Sequence, residues 1–153
     1  IKNLPVCEEH PAKEFLLEVT EQMGLNLDLR VKADDSNVYV EISGEDSGTI
    51  IGKRGQTLDA IQYLTSLVVN KDKSNYIKVV VDAEDYRSRR EQTLEKLANR
   101  LAGKVVRSKR MVKLEPMNPY ERKVIHATLQ GNSRVTTRSE GQDPYRRVII
   151  ELK

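Results

Sequence analysis

Gly52 and Gly55 enclose the basic pair Lys53-Arg54 and open onto a run whose apolar residues, Leu58, Ile61, Leu64 and Val68, recur at helical spacing. Ile50 and Ile51 precede them. Glycines tolerate tight turns and let another backbone approach without a Cβ in the way, and two cations meet a polyanion. A loop of this kind between two helices can clamp about four nucleotides of a single strand. Glycine pairs also mark ordinary helix–helix turns. The Lys-Arg filling and the amphipathic run that follows favour binding. A nucleotide-hydrolysing phosphate loop fails on spacing. It needs four residues between its glycines and Ser or Thr after the Lys, whereas Gly48 and Gly52 have three between them and Arg54 follows Lys53.

The surrounding pattern alternates between the two regular periods. Ala12, Phe15, Leu16, Val19 and Met23 predict a helix from Pro11 to Met23, with Gly24 as its stop. Leu25, Leu27, Leu29 and Val31 alternate with polar residues as a half-buried strand does. After the turn Asp34-Asp35-Ser36-Asn37, Val38, Val40 and Ile42 predict its hairpin partner. Ser47 is placed to cap a short helix running into Gly52, Gln56–Asn70 is a second helix, and Ile77, Val79 and Val81 form a third strand. Asp82 is read as the cap of a long helix, with Glu84 and Asp85 in its first turn and Tyr86, Leu94, Leu97, Leu101 and Val105 on its apolar face. Residues 111–115 suggest a short strand. Asn118-Pro119-Tyr120-Glu121 is a helix start with a capping Asn, Pro at the first position and Glu at the third. That helix ends at Gly131, and residues 134–139 and 146–152 read as two final strands.

With 153 residues the chain can form one ordinary domain or two small ones. Charge decides between them. Residues 1–85 carry 9 Lys and Arg against 16 Asp and Glu, a net of −7, while residues 86–153 carry 17 against 7, a net of +10. The sign changes near residues 82–86, which places the break at 82/83 and gives domains 1–82 and 83–153. A basic half of this size is an electrostatic footprint for polyanions, although a solvated basic surface has the same composition. The 38% apolar content with clear periodicity argues against disorder. No apolar run approaches a membrane span, and no export signal opens the chain. The single Cys7 cannot form an internal disulfide, so a reduced, cytoplasmic setting is expected.

In this order of elements the N-terminal half resembles a type II (prokaryotic) KH domain, α-β-β-α-α-β, over roughly residues 8–82. Ile50-Ile51-Gly52-Lys53-Arg54-Gly55 with Leu58 and Ile61 resembles that family's Ile-Gly-x-x-Gly core. The resemblance implies that Gly52 and Gly55 contact a nucleic-acid backbone and that Lys53 and Arg54 meet phosphates. Ile51, Leu58 and Ile61 would help to build the apolar floor for bases.

Arg122 and His126 lie four apart on one predicted helix and therefore share a face. The Arg suits phosphate, and a neutral His can hydrogen-bond or offer a ring. Spacing alone leaves an ordinary packed or solvated pair as the simpler reading. With a long basic helix before it and Ser139, Gly141 and Arg146-Arg147-Val148-Ile149-Ile150 after it, this helix resembles the RxxxH (Arg-x-x-x-His) domain over residues 86–153. The resemblance implies single-strand binding by Arg122 and His126, with Ser139, Gly141, Arg146 and Arg147 in the C-terminal strand region. Adjacent strand residues point oppositely, which leaves open whether Arg146 or Arg147 faces a ligand. Arg134 and Arg138 are candidate phosphate contacts by charge alone. Tyr145 is the candidate stacking ring in a chain with one Phe and six Tyr.

A KH domain followed by an RxxxH domain is similar to the bacterial Jag family, also called SpoIIIJ-associated or KhpB/EloR proteins. The expected fold class is therefore α+β: two small domains, KH then RxxxH, with a long connecting helix. The resemblance implies a cytoplasmic RNA-binding protein; the expected ligand is single-stranded RNA, with single-stranded DNA left open as the alternative. It also implies a role in cell elongation, division or sporulation, and pairing with a small stand-alone KH protein or a second copy. Many members carry a further N-terminal domain, and a start at Ile1 leaves its removal open.

Two other classes compete. A nuclease needs a second titratable group or a metal site beside Arg and His. The acids 82–85 are explained as a cap, and Cys7-x-x-His10 is half a zinc site, so neither catalysis nor a cofactor or metal is expected. An interaction scaffold, in which the KH surface dimerises and RNA is secondary, would show as exposed apolar surface on the N-terminal helices.

Overall fold

His10 and Pro11 start the first helix, α1 (Pro11–Gln22): the Ala12 N–H donates to His10 Nδ1 at 3.1 Å, and Pro11 occupies a position whose missing N–H costs nothing. Leu16 and Ala12 lie wholly inside. The computed structural model describes residues 3–153. They divide into two units, Ile1–Arg87 and Ser88–Lys153, with the division inside a helix rather than ahead of it.

In the first unit β1 (Asp28–Ala33), β2 (Asn37–Ser43) and β3 (Lys78–Ala83) make one sheet in that order, β1 antiparallel and β2 parallel to its neighbour. Parallel pairing of β2 with β3 requires a crossover, which α2 (Ser47–Ile51), a 3₁₀ turn (Lys53–Gly55) and α3 (Gln56–Asn70) supply. Val38, Val40 and Ile42 point from β2 into a core shared with Leu16, Ile50, Leu58, Ile61 and Val81. The hairpin turn is set by Asp34, whose Oδ1 accepts the Ser36 and Asn37 N–H groups at 2.8 Å each.

Three local expectations are corrected. Leu25 and Leu27 pack on the core, but the strand ladder begins only at Asp28. Ser47 is the first residue of α2 rather than its cap, and Asp46 instead accepts the Asn26 N–H at 2.6 Å. Glu84 and Asp85 stand outside the long helix, at φ 51° and 55°, because β3 runs on to Ala83 and the chain must reverse before α4 (Tyr86–Ser108). Asp82 does serve that junction: it is buried and accepts the Ala83 and Arg87 N–H groups at 2.8 and 3.2 Å.

The second unit holds most of α4, then β4 (Val112–Lys113), α5 (Pro119–Leu129), β5 (Val135–Glu140) and β6 (Arg147–Leu152), with an antiparallel sheet ordered β4-β6-β5. Helix α4 presents Leu94, Ala98, Ala102 and Val105 to a core with Ile125, Leu129, Val135, Val148 and Ile150, while Leu97 and Leu101 are only half-buried. The start of α5 is the expected capping box: Asn118 Oδ1 accepts the Glu121 N–H at 2.8 Å, and Glu121 Oε1 accepts the Asn118 N–H. The other Glu121 oxygen accepts from Arg90 Nε at 2.7 Å and so ties α5 to α4.

Candidate nucleic-acid interface

The Gly52–Gly55 loop joins α2 to α3, and both glycines are required by their neighbours. Gly52 sits at φ 72°, and a Cβ there would collide with the Thr57 side chain. Gly55, at φ 77°, is buried under Tyr86, and its Cβ would lie 2.5 Å from Tyr86 Cε1. Lys53 is exposed and Arg54 half-exposed, the latter held at φ 53° in the left-handed region. The N-cap of α3 is Gly55, which brings no side chain to the first N–H groups, and the first-turn acid Asp59 is ion-paired with Arg87. The positive end of a fifteen-residue helix therefore lies beside two cations, an arrangement suited to an anion. Leu58 and Ile61 are inside the core, so they hold α3 from beneath and offer bases no surface. Ile51 is half-exposed.

Arg87 fixes the same helix from its other side. Its Nε donates to the Val81 carbonyl at 3.0 Å, Nη1 to Asp59 Oδ1 at 2.7 Å and Nη2 to Gln62 Oε1 at 3.0 Å. Neither Tyr86 nor Arg87 stands out in the sequence, where both look like ordinary first-turn residues of α4.

In the second unit Arg122 is 8% exposed. Its Nη1 donates to the Met117 carbonyl at 2.6 Å and to Asp143 Oδ1 at 2.8 Å, so the guanidinium pins the β5–β6 loop. His126 points at β5, where Val135, Thr137 and Ser139 share the inner face. Its Nδ1 lies 2.6 Å from Thr137 Oγ1 and its Nε2 2.9 Å from Ser139 Oγ. Burial, then the charges of Arg122 and Arg146, hold its pKa below the ordinary 6.5, so the ring is neutral at pH 7. A neutral ring donates through one nitrogen and accepts through the other, and both hydroxyls can answer either role.

Comparison with known proteins agrees with both units. Residues 13–81 match the family model "KhpA/KhpB, KH domain", and residues 92–152 match the family model of the RxxxH (Arg-x-x-x-His) domain. The chain is 54% identical over 144 residues to an RNA-binding protein KhpB of Clostridium symbiosum, covering 93% of this chain and 65% of that one. It is 41% identical over 144 residues to the RNA-binding protein KhpB of Bacillus subtilis, covering 93% and 69%.

The chain belongs to the KhpB (Jag) family.

It is also 38% identical to the KhpB of Lactiplantibacillus plantarum, covering 92% of this chain and 44% of that one. The chain thus spans just under two thirds, 65%, of the Clostridium symbiosum KhpB and less than half of this last relative. The α+β fold of two small domains, KH then RxxxH, is that of the KhpB family.

The structure separates the remaining KhpB-family candidates. Arg146 turns back toward the His126 side, with Nη1 on the Gly141 carbonyl at 2.6 Å and its charge felt by His126. Gly141, at φ 90°, forms the bend those residues share. Arg147 opens β6 opposite Glu140. Arg138 lies on the outer face of β5, away from His126, and is ion-paired with Glu151 and Glu140 at 3.2 and 3.3 Å. Arg134 is exposed just before β5, and Tyr145 is 74% exposed at the loop beside Arg146.

A cavity of about 730 Å³ on the outer face of the first sheet is lined by Asp28, Glu41, Asp82, Glu84 and Asp85, with Arg30 as its cation. Its charge repels a polyanion. Cys7 Sγ donates to the Glu9 carbonyl and His10 caps α1, so that pair serves the backbone. Among the described residues no helix is long and apolar enough to cross a membrane.

Proposed function

We propose that this chain binds single-stranded RNA without catalysis, each unit gripping the strand at its own site. The observation that carries the reading is the Lys53-Arg54 tip. Two glycines with positive φ present it at the positive end of α3, whose N-cap is Gly55. In the second unit His126, Arg146 and Tyr145 form the contact surface, with Arg134 and Arg147 adding charge. Arg122 holds the loop that carries them. The names of the relatives support RNA as the ligand, and competition with single-stranded DNA of the same length tests that choice.

A salt titration of RNA affinity by fluorescence anisotropy tests it. If about five phosphates are neutralised, the log–log slope should be near −3.5, at roughly 0.7 per contact on single strands. Lys53→Asp with Arg54→Asp should weaken binding without unfolding the chain, and unchanged affinity would remove the loop from the site. Labelled RNA should stay intact with and without magnesium.

A second reading rests on a separate observation. The packed helices α1 and α3 leave Leu17, Tyr63, Leu64, Leu67 and Val68 exposed, an apolar face in the acidic half of the chain. Pairing of this KH face with a second copy or a small stand-alone KH protein would cover it. Light scattering without RNA tests the homodimer, with Leu67→Glu as the disrupting variant. A cytoplasmic role in cell elongation, division or sporulation rests on the family resemblance. Its test is whether the Lys53/Arg54 double variant fails to complement a deletion strain.

A further inference from the structure

We propose that a groove of about 480 Å³ between α5 and β5, beside His126, is a subsite for one further nucleotide of the bound strand. The inference rests on the single-strand reading and deepens it. Lys123, His126, Ala127 and Gln130 stand three and four apart, so they line one side of the groove as a single face of α5. Thr136, Thr137 and Lys153 line the other, over a floor of Leu129 and Val135.

Three features fit a phosphate-bearing nucleoside. First, the lining contains two lysines and no carboxylate side chain, and neither lysine is ion-paired among the described residues. The nearby Arg122 and Arg138, by contrast, are both held by acids. A phosphate entering here displaces no ion pair. Second, β5 is an edge strand. The Lys153 N–H donates to the Arg134 carbonyl, and the antiparallel alternation then directs the N–H and C=O of Thr137 to the open edge. Those groups and the Gln130 amide give a base or ribose both donors and acceptors. Third, the groove volume falls in the roughly 300–1,000 Å³ range of small-molecule sites. His126, on the groove wall, makes it continuous with the Ser139–Arg146 surface.

The test uses the full chain, isotope-labelled, titrated with a short oligouridylate and in parallel with uridine monophosphate. The oligouridylate should move the Ala127, Gln130 and Thr136 signals and saturate at the affinity measured by anisotropy. Lys123→Gln and Lys153→Gln should each flatten the salt slope by about 0.7, one phosphate contact on a single strand. Both lysines are exposed, so the variants should keep the wild-type spectrum elsewhere. RNA binding with unshifted groove signals and unchanged slopes would overturn the groove and leave the proposed function standing. Equal affinity for the mononucleotide would overturn its assignment to a strand. A wild-type chain that binds no RNA would remove the proposed function and the groove with it.

Discussion

Arg122 Nη1 donates to Asp143 Oδ1 across 21 residues at 2.8 Å, joining the motif arginine of α5 to the β5–β6 loop. The pair is asymmetric: the Arg122 side chain is 10% exposed and that of Asp143 55%. Removing the arginine leaves the buried Met117 carbonyl without its donor and frees the loop. Arg122→Ala should therefore cost about 1–3 kcal/mol, the penalty of an orphaned buried polar group, read as a lower urea midpoint. Asp143→Asn should cost less than about 1 kcal/mol, as a largely exposed partner does. It also removes a negative charge from the proposed RNA surface, so affinity should rise. An Arg122→Ala variant as stable as wild type would show that the guanidinium holds nothing.

His126 makes both stability and binding depend on pH. Its folded pKa is lowered, by burial first and then by Arg122 and Arg146, so the unfolded chain takes up the proton first. The neutral-ring contribution is complete above 6.5 and is lost as pH falls below 6.5 toward the folded value. His10, also lowered by burial and by Lys73, acts in the same direction. The difference between wild type and His126→Gln, measured by urea unfolding from about pH 7.5 down to about pH 5.5, isolates His126. A bound phosphate would raise the same pKa. RNA affinity should then increase on acidification in the wild type and increase less in His126→Gln. Parallel profiles would place the ring away from the strand.

Local signals were readable in the chain, and distant ones were not. The Asn118–Glu121 capping box, the Gly52–Gly55 loop and the Arg122/His126 spacing each lie within a turn or two, where geometry follows from residue type. Glu84 and Asp85 misled because acids ahead of a helix look like its first turn, yet the length of β3 decides where the helix begins. Ala98 and Ala102 are as deeply buried in the α4 seam as Leu94, but small residues leave no hydrophobic signature. Arg138 is a phosphate candidate by charge alone, and its partner Glu151 is found only through the strand register. Tyr86 over Gly55 and Asp143 on Arg122 are likewise tertiary pairings, invisible to spacing.

The loop tip should trade stability against binding. Arg54 is a non-glycine residue at φ 53°, a conformation that costs an L-residue roughly 1–2 kcal/mol. Glycine relieves that strain but loses more chain entropy on folding, which offsets part of the gain. Arg54→Gly should leave the fold as stable as wild type or more so by up to about 1 kcal/mol, while weakening RNA binding through the lost charge. Thermal unfolding and anisotropy on the same variant separate the two effects. A destabilised Arg54→Gly would mean that the contacts of the side chain outweigh the strain.

Gly55→Ala tests the opposite case, in which the loop is held by packing. Its added Cβ would press on Tyr86 Cε1 at 2.5 Å, in a backbone region already unfavourable to alanine. The cost should reach about 1–3 kcal/mol, since strain and overpacking act together. Much of the packing part should return in the double variant Gly55→Ala with Tyr86→Ala, where the ring is gone. A double-mutant cycle read by urea unfolding would give a favourable coupling of about 0.5–3 kcal/mol for residues in such contact. Strict additivity would mean that the ring and the loop do not support one another. In that case the first residue of α4 would have no part in shaping the α2–α3 junction.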